Sequence, residues 1–89
     1  MAYARVTKSG VVLTDFSRNI KQINVIHTSH GQYCFRGLSI SIKTAVASPS
    51  SVAAIGAVVS PATTNCSFVV STLAAAGKRV DSPFYVQFA

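Results

Sequence analysis

The chain has 89 residues, 49% of them hydrophobic, and carries eight Lys and Arg against two acidic residues, for a formal net charge of +6. This length sets an expectation of one domain, residues 1–89, with a thin core, because so short a chain buries only about 60–65% of its unfolded surface. The apolar content excludes a disordered chain, which would be apolar-poor and highly charged, and no apolar run approaches the roughly 20 residues of a membrane span.

Taken in order, residues 2–7 read as a strand, and Lys8-Ser9-Gly10 turns it into a second short strand at 11–14. Residues 20–29, rich in β-branched side chains, form the next strand. His30-Gly31-Gln32 then turns a hairpin into Tyr33-Cys34-Phe35. From Leu38 onward apolar and polar residues alternate: Leu38, Ile40, Ile42 and Val46 face one side, and Ser39, Ser41 and Lys43 the other. That period of two marks a half-buried strand. Ser48-Pro49-Ser50-Ser51 is a loop of breakers, and residues 60–65, with Pro61, form another.

Between these loops, residues 52–59 read as a strand buried on both faces or packed at an interface, where their small side chains let a neighbouring sheet or subunit approach closely. Residues 66–73 give a further strand. Ala74, Ala75 and Ala76 lean helical, but a helix this short is marginal and Gly77 ends it, so a wide hairpin loop is expected. In the last strand Phe84, Val86 and Phe88 share one face and Tyr85 and Gln87 the other. Seven or eight strands at about 8–12-residue spacing predict an all-β fold, a small antiparallel β-sandwich or barrel. Greek-key and up-and-down strand orders share this local pattern.

Cys34 and Cys66 are the two cysteines, each in an apolar, strand-like run. The pair predicts one cross-strand or inter-sheet disulfide; the alternative is two buried free thiols. In the loop-entropy model such a bond contributes roughly 3–4 kcal/mol, a large share of the roughly 5 kcal/mol expected for so small a domain. Disulfides belong to oxidising compartments, which favours an extracellular, secreted or virion location. Residues 1–5 lack the basic start and the apolar stretch of about 7–15 residues of a secretory signal, so the expectation is either an excised mature domain or a chain oxidised after synthesis.

No constellation for catalysis is recognisable. A hydrolase needs a nucleophile, a base and an orienting acid within reach; serines abound, but the candidates beside them are only His27, His30, Asp15 and Asp81, and no Gly-x-Ser-x-Gly elbow occurs. His27 and His30 are expected on a solvent-facing hairpin. With Cys34 they make a conceivable metal set, but zinc sites usually pair ligands tightly at both ends, and Cys66 stands alone. No metal, cofactor or catalytic residue is therefore assigned. Glycine-rich phosphate loops are absent, and Asn65-Cys66-Ser67 is read as a chance match to a glycosylation sequon.

The positive field attracts nucleic acid, anionic lipid or acidic proteins without a specific site. Its bases are scattered, with only Lys78 and Arg79 adjacent, which favours a soluble basic surface over a dedicated nucleic-acid site. Arg5, Arg36, Lys43, Lys78, Arg79 and Tyr85 are the candidate contacts to a partner or polyanion. Tyr3 and Arg5 share a strand face, and an exposed Tyr3 or Tyr85 offers an apolar ring with a polar tip. Packing accounts for most of the other aromatic residues.

Gly31-Gln32-Tyr33-Cys34-Phe35-Arg36-Gly37-Leu38, then Asn65-Cys66, then Asp81-Ser82-Pro83-Phe84-Tyr85-Val86-Gln87-Phe88 follow the pattern G-x-Y-C-F-x-G-L, a second cysteine, and D-x-P-F-Y-V-x-F. Together with Ala4-Arg5-Val6, Gly10 and Ser17-Arg18-Asn19-Ile20, they resemble a small β-domain found at the C-termini of predicted exported actinobacterial and phage-related proteins. The resemblance spans nearly the whole chain and rests on structural residues. It implies a Cys34–Cys66 pairing and an all-β fold, and it brings no catalytic residue. The expected function is a non-enzymatic structural or interaction module that self-assembles or docks on a surface, as a phage virion component or a secreted or cell-surface domain. Its expected partner is a second copy or a larger protein assembly. The alternative is a ligand-binding module for a polyanion or glycan.

Overall fold

The computed structural model describes residues 1–38, 42, 44–51, 54–60 and 66–89. Its strands are β1 (Ala2–Val6), β2 (Val25–Ser29), β3 (Gln32–Phe35), β4 (Ala45–Pro49), β5 (Gly56–Ser60), β6 (Phe68–Leu73) and β7 (Phe84–Phe88). They form two antiparallel sheets, a three-stranded one in the order β1-β7-β4 and a four-stranded one in the order β2-β3-β6-β5. The protein is a small all-β sandwich, and the only helical pieces among the described residues are short 3-10 turns.

Strict alternation decides which side of each strand meets the core. In β7, Phe84, Val86 and Phe88 are fully buried while Tyr85 and Gln87 are half-exposed. In β1, Ala2, Ala4 and Val6 point inward and pair with Phe88, Val86 and Phe84. Small side chains on β1 thus sit beside large ones on β7, and the two rows together fill one layer. The opposite layer presents Val25, Tyr33, Phe35 and Val70, and Val12 and Ile20 close the core from the connection after β1. Phe35 reaches across and packs edge-on against both Phe84 and Phe88, at centroid distances of 6.1 and 5.4 Å. Edge-to-face pairs like these are worth about 0.5–1.5 kcal/mol beyond their buried area. Two buried hydroxyls are satisfied locally: Thr72 Oγ1 donates to the Val80 carbonyl at 2.6 Å and Ser82 Oγ to the Pro83 carbonyl at 3.0 Å.

Several expected strands differ in extent. Residues 11–14 contribute only one bridge, Val12 to Val6, before a 3-10 turn at Thr14–Phe16. Val12 alone of this stretch buries its side chain, and Ser17 Oγ donates to the Leu13 carbonyl at 2.8 Å, closing the turn. The strand expected at 20–29 starts only at Val25, after a 3-10 turn at Gln22–Asn24. Polar side chains override β propensity there. Asn24 accepts from the Lys21 backbone at 2.8 Å and donates to the Arg36 carbonyl at 2.9 Å. Gln22 likewise accepts from Val12 N and donates to the Gly10 carbonyl.

β4 departs from the predicted face pattern. Leu38 and Ile42 pack on the core as expected, but so do Ala45 and Ala47, and Val46 is 63% exposed. The inward parity changes between residues 42 and 45, so Val46 lies on the outer surface; residues 39–41 and 43 of the predicted strand lie outside the described residues. β4 also runs into the predicted breaker loop as far as Pro49. Proline is tolerated there because β4 is an edge strand of its sheet. The expectation of a doubly buried strand at 52–59 is corrected as well. β5 is an edge strand that packs Val59 on the core and leaves Val58 48% exposed, while residues 52 and 53 lie outside the described set. The predicted loop at 60–65 is likewise undescribed beyond Ser60. The alanine stretch is the expected loop, with a 3-10 turn at Ala75–Gly77 and a bridge from Leu73 to Arg79.

Cys34 and Cys66 form a disulfide across a sequence separation of 32, with Cα atoms 5.4 Å apart. Of the two expected arrangements it is the cross-strand one: Cys34 lies in β3, and Cys66 precedes β6, the neighbour of β3 in the same sheet. Replacing both cysteines by serine, or reducing the bond, is expected to lower the unfolding free energy by about 3–4 kcal/mol. Urea unfolding with and without reductant measures this, and an unchanged midpoint would refute it.

Candidate interaction surfaces

The face of the three-stranded sheet turned away from the core carries two rows of side chains in register. One row runs Arg18, Tyr3, Gln87, Val46, from the Tyr3–Arg18 bridge and the pairings of Gln87 with Tyr3 and Val46. The next runs Arg5, Tyr85, Ser48. The Tyr3 and Tyr85 rings lie 6.4 Å apart between centroids, tilted by 31°. The Arg5 guanidinium sits 5.1 Å from the centre of the Phe16 ring, which is 54% exposed at the margin. Such a cation–π contact holds a long side chain in place without neutralising it. Arg18 is fixed through its backbone, which exchanges hydrogen bonds of 2.8 and 3.0 Å with Tyr3. Neither arginine forms an ion pair among the described residues.

Of the residues singled out from sequence, the structure brings Arg5 and Tyr85 together as direct cross-strand neighbours. Arg36 is elsewhere, just past β3, with its carbonyl accepting from Asn24. Lys78 and Arg79 lie in the β6–β7 loop, and Lys43 falls outside the described residues. Sequence reading placed Tyr3 beside Arg5 but missed Phe16 and Arg18 as partners. Only the fold-back of residues 13–18 onto β1 supplies them, and no local pattern announces it.

The outer face of the four-stranded sheet is chemically different. One row runs Ile26, Cys34, Val69, Ser60 and the next Gln32, Ser71, Val58. None of the side chains in these two rows is charged, and Ile26 and Val58 are exposed. A further row runs Arg79, Leu73, Gly56, and Arg36 follows Cys34 by two residues, so cations stand at both ends of the neutral rows.

A third cluster joins the hairpin to the approach of β7. Asp81 Oδ1 accepts from Gly31 N at 2.6 Å and from His27 Nε2 at 2.9 Å, and Oδ2 lies 3.5 Å from His30 Nδ1. The His27 ring stacks on Tyr33 at 4.7 Å and 16°, and the Tyr33 hydroxyl donates to the Lys8 carbonyl at 2.6 Å. Gly31 allows this closure: its φ is +69°, and a Cβ there would meet Val80 N at 2.7 Å. The Gly31 amide bond, with smaller help from the two histidines, holds the Asp81 carboxyl below its usual range against the opposing effect of burial. Burial, and then the nearby Asp81 charge, pushes the Tyr33 phenol up. Among the described residues no serine or cysteine is hydrogen-bonded to the His27–Asp81 pair, and Cys34, the conceivable third metal ligand, is joined to Cys66. The cluster acts as a clasp between hairpin and β7.

Fold and surfaces together define a disulfide-stapled β-sandwich with one cationic, aromatic face and one face whose two central rows are uncharged. No protein-family model matches the chain, and no curated protein or solved structure matches it significantly.

Removing the clasp by Asp81→Ala should cost about 1–3 kcal/mol, the value of charge-assisted hydrogen bonds. Because the folded carboxyl titrates below its unfolded value, its contribution is complete above about pH 4 and is lost as pH falls through the lower folded value. Urea midpoints between about pH 2 and 6 should drop in the unmodified protein more steeply than in the variant. The sign reverses for Tyr33, whose raised value makes its contribution complete below about pH 10 and lost above. Tyr33→Phe should therefore flatten the alkaline limb of the same curve.

Proposed function

We propose that this protein is a non-enzymatic interaction module that assembles with further copies of itself through the outer face of its four-stranded sheet. The observation that carries the reading is that the two central rows of that face hold no charged side chain in a chain of net charge +6, with Arg79 and Arg36 kept to their ends. Like-charged copies repel at most orientations, and two such faces meet with little Coulomb cost while burying Ile26, Val69 and Val58. A two-fold arrangement lets the same patch serve both partners. The disulfide supports the reading because Cys34 stiffens the strand at the middle of the patch. The resemblance to β-domains of exported actinobacterial and phage-related proteins fits a virion component or a secreted or cell-surface domain.

Light scattering after size exclusion, over a range of protein concentration, tests this. The expected result is a dimer or larger species that Val58→Lys returns to monomer mass while Tyr85→Ala does not. A monomer at every concentration in the unmodified protein would end the proposal.

A further inference from the structure

We propose that the opposite surface, the outer face of the three-stranded sheet, binds single-stranded nucleic acid by stacking bases on Tyr85 and Tyr3 while Arg5 and Arg18 take the phosphates. This goes beyond the assembly reading and does not depend on it, since it uses a different sheet.

Single strands are bound without sequence preference where exposed aromatic rings lie on a flat sheet among cationic side chains. Tyr85 stands on the central strand β7 and Tyr3 on its neighbour β1, so two rings lie side by side across adjacent strands. Arg5 flanks Tyr85 in its row and Arg18 flanks Tyr3 in the other. Both cations are on the same side of their rings, which gives a backbone one edge to follow and the bases a platform beside it. Gln87 and Ser48 supply neutral donors and acceptors within the same rows.

Electrostatics favours a polyanion at this place. The rows contain no carboxylate, and among the described residues no ion pair must break before Arg5 or Arg18 can meet phosphate. Asp15, the nearby acid in the Thr14–Phe16 turn, pairs with neither. An acidic glycan would be served by a denser cluster of cations, whereas this face has as many rings as cations in its rows and a third, Phe16, under Arg5. A duplex offers no free base faces to stack. Single-stranded nucleic acid is the polyanion that uses both features.

The test is fluorescence polarisation with labelled oligo-dT and oligo-rU of about 12 nucleotides, a duplex of equal length, and a labelled heparin fragment, at about 50 and 200 mM salt. Both single strands should bind more tightly than the duplex. Affinity should fall with salt at a log–log slope of about −1 to −2, as two phosphate contacts require. Tyr85→Ala should weaken binding about 5- to 100-fold and Tyr85→Phe should preserve it. The double variant Lys78→Ala with Arg79→Ala, away from the face, should leave binding within about twofold of the original.

No binding to either oligonucleotide at the lower salt overturns the proposal. So does binding that survives Tyr85→Ala but is lost with Lys78 and Arg79, or heparin binding that is tighter than oligonucleotide binding and unaffected by Tyr85→Ala. Urea unfolding checks that each variant is folded. Should Tyr85→Ala fail that check, Arg5→Gln with Arg18→Gln decides, since retained affinity in that folded double variant overturns the proposal equally. Light scattering on the same samples keeps the two faces apart: loss of assembly leaves this result standing, and loss of oligonucleotide binding leaves assembly standing.

Discussion

Phe35 packed between Phe84 and Phe88 is the contact on which the two layers depend. A domain of this size has few large side chains to spend on its interior, and here the cross-sheet aromatic pairs occupy the middle of it. Tyr33 extends the same row to Phe84 at 4.7 Å, and Phe68 extends it to Phe88 at 5.2 Å. The rows fix the register of β7 against both neighbours, because a slip of one residue would send Tyr85 and Gln87 inward and all three large apolar residues into water. What lies on the outer face of the three-stranded sheet is therefore set from inside: Tyr85 is presented because Phe84 and Val86 are not.

The same alternation produces a second, unlike surface on the other sheet. Tyr33 and Phe35 turn inward and leave Cys34 outward, where its bond to Cys66 lies among Ile26, Val69 and Ser60. No charged side chain occupies those rows. Parity thus sends the large apolar residues inward on both sheets, and on the four-stranded sheet it leaves two outward rows without charge, with Arg79 beside them opposite Leu73. The His27–Asp81 clasp adds the tie between the hairpin of one sheet and the lead-in to the central strand of the other.

Much of this was legible in the sequence wherever one periodicity acted alone. The last strand, the hairpin around Gly31 and the wide loop after Leu73 were each dictated by local chemistry. Expectation failed where two local preferences competed. Asn24 and Gln22 use their side-chain amides to bond backbone and so shorten β2, and the shift of parity before Ala45 puts Val46 outside where unbroken alternation would bury it. The candidate surface on the three-stranded sheet was half legible, since Arg5 and Tyr85 were singled out separately and Tyr3 was placed with Arg5. Their union with Phe16 and Arg18 is a tertiary fact, made by the return of residues 13–18 along β1 and the pairing of the first strand with the last.

That pairing has a mechanical consequence. Ala2 lies opposite Phe88, so residues 2 and 88 sit at the same end of the three-stranded sheet on adjacent antiparallel strands. Tension applied through both ends would load the β1–β7 hydrogen bonds one after another, like a zipper, where a shear geometry would load them all at once. The segment closed by Cys34 and Cys66 carries none of that force and keeps an edge strand of each sheet, β4 and β5, within one covalent ring. Under tension the molecule yields first by peeling β1 away, which exposes one edge of β7 while the four-stranded sheet remains whole.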